Sequence, residues 1–277
     1  MPSPTWTAPL HAAADAAPKR NPLPQNIAST APAEQLLLLG ADFTRYNDAL
    51  LRHRINGPSP STFLTAQAAA AQHLARAALD IVDTLNAQRM YHSPVIRSVY
   101  ARVRQLAHLA TDTADHLLDA AEILDNTRTG LPVEIDDSLL VVLTGQQALG
   151  EAGSRLTLVR DLTALGADDA LTAAEAYVAE RLRRGFSLPH QPPVLTAAQN
   201  AALRAVARGE VTIADNRPYV RADDLRVTIS TVRALEARGL VAREECPLWL
   251  TDERVHLTPG VVHEIEQRLF TTLEGVR

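Results

Sequence analysis

Apolar residues along the first two thirds of the chain recur at helical spacing. Leu36, Phe43 and Leu50 stand seven apart with Leu39 and Tyr46 between them, which predicts a helix over 33–55. Asn56-Gly57-Pro58-Ser59-Pro60 ends it. A second helix starts near Ser61 or Thr62 and aligns Ala71, Leu74, Ala78, Ile81 and Leu85 on one stripe. It stops near Tyr91, because His92-Ser93-Pro94 disfavours continuation. The third helix, 94–125, is the most regular. Ile96, Val103, Ala110, Leu117 and Leu124 repeat every seven residues, and Val99, Leu106, Thr113 and Ala120 fill the second seam position. Residues 126–137 read as a loop with Gly130 and Pro132. A fourth helical region, 138–165, carries Gly145, Gly150 and Gly153, which either admit a close neighbour or break the helix. A fifth, shorter helix covers 168–184.

The pattern changes at both ends of this set. Residues 1–30 are rich in proline and alanine with little periodicity and read as a flexible tail. Residues 185–194 contain Pro189, Pro192 and Pro193 and read as an interdomain linker. The expected division is therefore a tail (1–30), a helical bundle (31–184), a linker (185–194) and a C-terminal domain (195–277). In that last domain Thr196 caps a helix running to Arg208. Residues 210–214 and 219–221 flank Asp215-Asn216-Arg217-Pro218 as a hairpin. A short scaffold turn is expected over 222–226, then a helix from about Thr231 to Gly239, two strands over 241–245 and 254–257, and a last helix from Thr258-Pro259.

The C-terminal domain carries the one readable resemblance. The run T-I-S-T-V-R-A-L-E-A-R-G-L-V over 228–241, followed by strands and Arg254-Val255-His256-Leu257-Thr258-Pro259, resembles the winged helix-turn-helix of MarR-type regulators over about 195–273. It departs from that pattern in two ways: the scaffold helix has room for only about a turn, and the following helix is about a turn short. The implied fold class is mainly α, an antiparallel helical bundle followed by a small α/β winged helix domain. The resemblance implies double-stranded DNA as a partner, and a role in transcription regulation.

Ile229, Val232 and Leu235 fall on one side of the helix, so the outward set is Ser230, Thr231, Arg233, Ala234 and Ala237. Arg217, Arg221, Arg243 and Arg254 on the hairpin and wing are the candidates for phosphate contact. Each could equally be a surface arginine paired with Asp223, Glu244 or Glu253.

Composition tempers that picture. Of 27 basic residues all but Lys19 are arginine, and the net charge is −5. Residues 195–277 hold 11 basic against 12 acidic residues, without the basic surplus of most nucleic-acid binders. A winged helix that docks a protein partner in a non-enzymatic scaffold is therefore the alternative. The single Cys246 excludes an intramolecular disulfide framework, no run approaches a membrane span, and the start lacks a signal-peptide pattern. A cytoplasmic protein is expected.

No phosphate-cradling loop, metal-ligand spacing or nucleophile elbow is present, so no enzyme, cofactor or metal is expected. Asp112, Asp115, Asp119 and Glu122, with His116, lie off the heptad seam and read as solvated. Arg97, Arg102 and Arg104 form a small basic cluster on the same helix. The long third helix also offers a stripe that could serve between chains, and a homodimer is expected.

Overall fold

The computed structural model describes residues 32–52, 55, 59–87, 93–135, 139–185, 194–221, 225–248 and 251–258. The expected tail and the expected last helix lie outside them, as does most of the expected linker. The chain is mainly helical with a small antiparallel sheet.

Helix α1 (Pro32–Arg52) is the centre of the structure. Only Asp42, Leu51 and Arg52 on it are exposed, because other elements pack on several of its sides. A surface helix has one apolar stripe, whereas a helix buried all round must also find partners for its polar residues. Tyr46 accordingly donates to the Gln67 carbonyl, and Asn47 donates to the Arg160 carbonyl and the Thr163 hydroxyl, both at 2.7 Å. Asp48 is buried as well, and its partner comes from the far end of the chain.

Helices α2 (Pro60–Ala87) and α3 (Pro94–Thr129) pack extensively on each other. The Ile96–Leu124 seam of α3 faces this interior, with Val99, Val103, Leu106, Ala110 and Leu117 fully buried. The seam is thus used within the chain. Ser93 accepts the Ile96 N–H as N-cap, and Gly130 at φ +72° closes the other end in the left-handed conformation. Thr113 sits fully buried in the seam with its hydroxyl unpartnered. Removing an unpaired buried hydroxyl relieves its desolvation cost. Thr113→Val is therefore expected to raise the stability by about 1 kcal/mol in a urea titration.

Where a loop and a fourth helix from 138 were expected, the chain forms a hairpin of β1 (Val133–Ile135) and β2 (Leu139–Val141). Helix α4 (Gly145–Ala164) then starts at a capping box, in which Thr144 and Gln147 satisfy each other's backbone N–H groups. Gly145, Gly150 and Gly153 neither break α4 nor admit a neighbour, since an added Cβ would meet nothing within 4 Å. The close approach lies elsewhere. Helix α5 (Gly166–Arg183) follows α4 through Leu165 and crosses α1 where Gly40 faces Ala167 and Ala170. A Cβ on Gly166 would come within 2.9 Å of the Phe43 Cβ, so this crossing depends on glycine.

The C-terminal elements are α6 (Ala197–Ala207), β3 (Val211–Ala214), β4 (Arg217–Val220), α7 (Ile229–Ala237), β5 (Val241–Leu248) and β6 (Thr251–Leu257). The strands form one antiparallel sheet in the order β4-β3-β6-β5. The hairpin turn is tighter than expected: Asp215 (φ 49°) and Asn216 (φ 58°) alone connect β3 to β4. Two left-handed residues match the twist of the flanking strands, and Asp and Asn tolerate that conformation. Pro218 then falls in an edge strand, where its missing N–H matters little. Residues 225–228 are not helical, and 222–224, the rest of the expected scaffold turn, lie outside the described residues.

One continuous apolar cluster runs from Leu36 and Phe43 of α1 through α2–α5 to Leu203, Ile213, Leu235 and Val255. The described residues on either side of the expected linker therefore share a core.

Candidate nucleic-acid interface

Helix α7 begins at Thr228, whose hydroxyl accepts the Thr231 N–H at 3.2 Å and also bonds the hydroxyls of Ser230 and Thr231. Val232 and Leu235 point into the core, and Ile229 is half-buried against it. The opposite face presents Ser230, Arg233 and Ala237 to solvent, with Thr231 and Ala234 partly covered. The expected outward set is thus brought together on one face, although Ser230 and Thr231 are partly engaged in capping.

The β3–β4 turn stands beside this face. Asn216 Oδ1 accepts from Arg233 at 3.4 Å, so the turn steadies the outward arginine. Arg217 and Arg221 on the hairpin are exposed, as is Arg226 ahead of α7. Arg217, Arg221, Arg226 and Arg233 have no ion-pair partner among the described residues. Arg226 was missed in the sequence, where it was read as part of a scaffold turn. Its place two residues before the Thr228 cap was the available signal.

The arginines of β5 and β6 are placed otherwise. Arg243 is held by Glu236 of α7 (2.5 and 3.0 Å) and by Glu253 of β6 (3.2 Å). Two carboxylates already neutralise it, which leaves little for a phosphate. Arg254 corrects the expectation outright. It is 5% exposed, forms a two-pronged ion pair with Asp48 of α1 (2.5 and 2.6 Å), and donates to the Gly209 carbonyl. Strand β6 lies between β3 and β5 with α1 and α6 packed on it, so residues 254–257 are all buried. An arginine there belongs to the interior, with its guanidinium already engaged.

Around this pair runs a polar seam joining α1 to the sheet. Arg45 grips Glu244 with two hydrogen bonds at 2.8 and 2.6 Å, and His256 Nε2 lies 3.4 Å from the same carboxylate. Cys246 is buried nearby, and burial pushes its thiol pKa up, away from the reactive thiolate.

Burial pushes His256 down to about 4; Arg45 and Arg254 act in the same direction, and Glu244 and Asp48 oppose them. The folded ring is therefore neutral, while an unfolded histidine titrates near 6.5. Between those values the unfolded chain binds the extra proton. His256's contribution to stability is present above 6.5 and fades as pH falls toward 4, on the order of 3 kcal/mol in all. Urea midpoints measured across this window should fall steeply in the native chain and less steeply in His256→Gln.

Other basic residues of the C-terminal elements are also spent internally: Arg204 on Glu175 and Arg208 on Asp168, both of α5. Among the described residues no group of three or more His, Cys, Asp or Glu side chains could hold a metal ion, and no helix is long and apolar enough to cross a membrane. No family model matches the chain, and neither a curated protein nor a solved structure is significantly similar to it.

Proposed function

We propose that the chain binds double-stranded DNA, as a transcriptional regulator or DNA-associated accessory protein, through α7 and the β3–β4 turn. The helical body would then serve self-association or sensing. The observation that carries this reading is the α7 face: small residues around Arg233, beside three further exposed arginines, without carboxylate partners among the described residues. Small side chains let a helix approach base edges, and flanking arginines suit phosphates. The order β3-β6-β5, with α6 and α7 in contact with it, supports the winged-helix resemblance. In this reading the hairpin turn stands where the scaffold helix would be.

One observation favours a protein partner instead. Strands β5 and β6 carry Glu244, Glu245, Asp252 and Glu253 against Arg243 and Arg254, and both arginines are engaged internally. Such a wing offers phosphate no free arginine, so DNA contact would rest on the helix and hairpin alone.

The test is selection from random duplexes, followed by titrations at two salt concentrations. Arg233→Ala should cost roughly 1–3 kcal/mol on the selected sequence and relax its choice. Arg217→Ala should weaken all sequences alike and lower the salt slope by about one. If the intact chain enriches no sequence and binds duplexes no better than a neutral control at low salt, the regulator reading fails and the scaffold takes its place.

A further inference from the structure

The outer face of α3 has an order of its own. Beginning at Arg97, steps of four and three residues reach Ala101, Arg104, then Asp115, Leu118 and Glu122, passing His108 and Thr111 between. Every residue on this stripe is exposed, while the Ile96–Leu124 seam is buried within the chain. Steps of four and three are those of a helix-pairing seam. Here the seam is charged, and its sign reverses at the middle. Arg97 and Arg104 occupy the first half, and Asp115 and Glu122 the second.

The reversal is symmetric. Arg97 and Glu122, Arg104 and Asp115, and Ala101 and Leu118 each lie equally far on either side of the point midway between Leu109 and Ala110. None of the four charged residues has an ion-pair partner among the described residues. Arg102, the other arginine of the cluster, is paired with Asp169 of α5.

We infer that this stripe is a self-association surface, on which α3 of a second copy lies antiparallel about a two-fold axis through its midpoint. Antiparallel pairing sets each arginine against a carboxylate of the other copy and packs Leu118 on Ala101. Parallel pairing would set Arg97 against Arg97 and Asp115 against Asp115. A two-fold interface presents one surface to itself, so a charged stripe suits it when its sign reverses in this way. The stripe spans about 37 Å of helix axis, and at one helix width it covers roughly 400 Å² per copy. The two copies together bury about 800 Å², less than a stable specific interface, so the dimer should be weak and weaken further with salt. This concerns self-association and not contact with DNA, so either can fail without the other.

The experiment is sedimentation equilibrium of the full chain at low and high salt, with R104E and D115R separately and mixed. The native chain should be dimeric at low salt and dissociate as salt rises. Each variant alone sets like charges together twice and should dimerise at least roughly tenfold more weakly. In an equimolar mixture, however, both contacts between R104E and D115R become attractive. The heterodimer should recover the native affinity, which a misfolded variant could not do. R97E with E122R provides the same design at the other pair. A native chain that stays monomeric at low salt, a dimer indifferent to the single reversals, or a mixture that fails to recover would each overturn the inference.

Discussion

Replacing Asp48 with alanine is expected to destabilise the chain by about 3–5 kcal/mol, read as a fall in the urea midpoint. The cost comes less from the lost attraction than from what remains. Arg254 is buried from solvent and would keep only the Gly209 carbonyl as partner among the described residues. A guanidinium left without its counter-charge in the interior carries its full desolvation penalty. Arg254→Met alone should cost a comparable amount, because it strands the Asp48 carboxylate. The double variant Asp48→Leu with Arg254→Met should cost clearly less than the two singles together, since no unpaired charge remains. Additive costs across that cycle would show that the two residues act independently. In the DNA titrations, Arg254→Met should alter affinity only as far as it unfolds the chain.

Gly209→Ala should be nearly as severe, at about 2–5 kcal/mol, for two separable reasons. The residue follows α6 at φ +70°, a conformation that costs a side-chain-bearing residue roughly 1–2 kcal/mol. Its new Cβ would also lie 2.7 Å from Thr44 Cγ2, in the packed contact between α6 and α1. Thermal unfolding of Gly209→Ala in a Thr44→Ala background separates the two. The steric part should shrink to the remaining 3.1 Å contact with the residue-44 Cβ, and the backbone part should persist. Equal costs in both backgrounds would mean that the contact yields freely.

Much of the helical part was legible in the sequence because its signals are local. The seven-residue spacing from Ile96 to Leu124 and the Ser93-Pro94 start identify α3, and Thr196 identifies the start of α6. The hairpin of β1 and β2 was not legible, since runs as short as Val133–Ile135 fit a strand or a buried helix turn alike. The Thr144/Gln147 capping box was the signal that a helix starts there and not at 138. Asp215-Asn216 reads as half of a four-residue turn in the sequence, whereas Arg217 and Pro218 belong to β4.

The candidate site divides in the same way. The α7 face follows from helical spacing, so Ser230, Arg233 and Ala237 could be placed from sequence. The fate of Arg254 could not, because alternation along a strand predicts one wet face, and residues 254–257 are buried on both. Its partner lies 206 residues earlier, a separation that no local pattern encodes.

That separation also has a consequence for how the chain is made. Helix α1 precedes every element it packs against, and Arg254, which neutralises Asp48, is among the last described residues. At ribosomal rates of ~5–20 residues per second, Asp48 would wait roughly 10–40 s for its counter-ion. Throughout that interval a helix with apolar residues on nearly every side must be sheltered by incomplete partners. Nascent chains stalled ahead of residue 254 should therefore remain open to protease and bind chaperones, whereas chains stalled well beyond it should be closed.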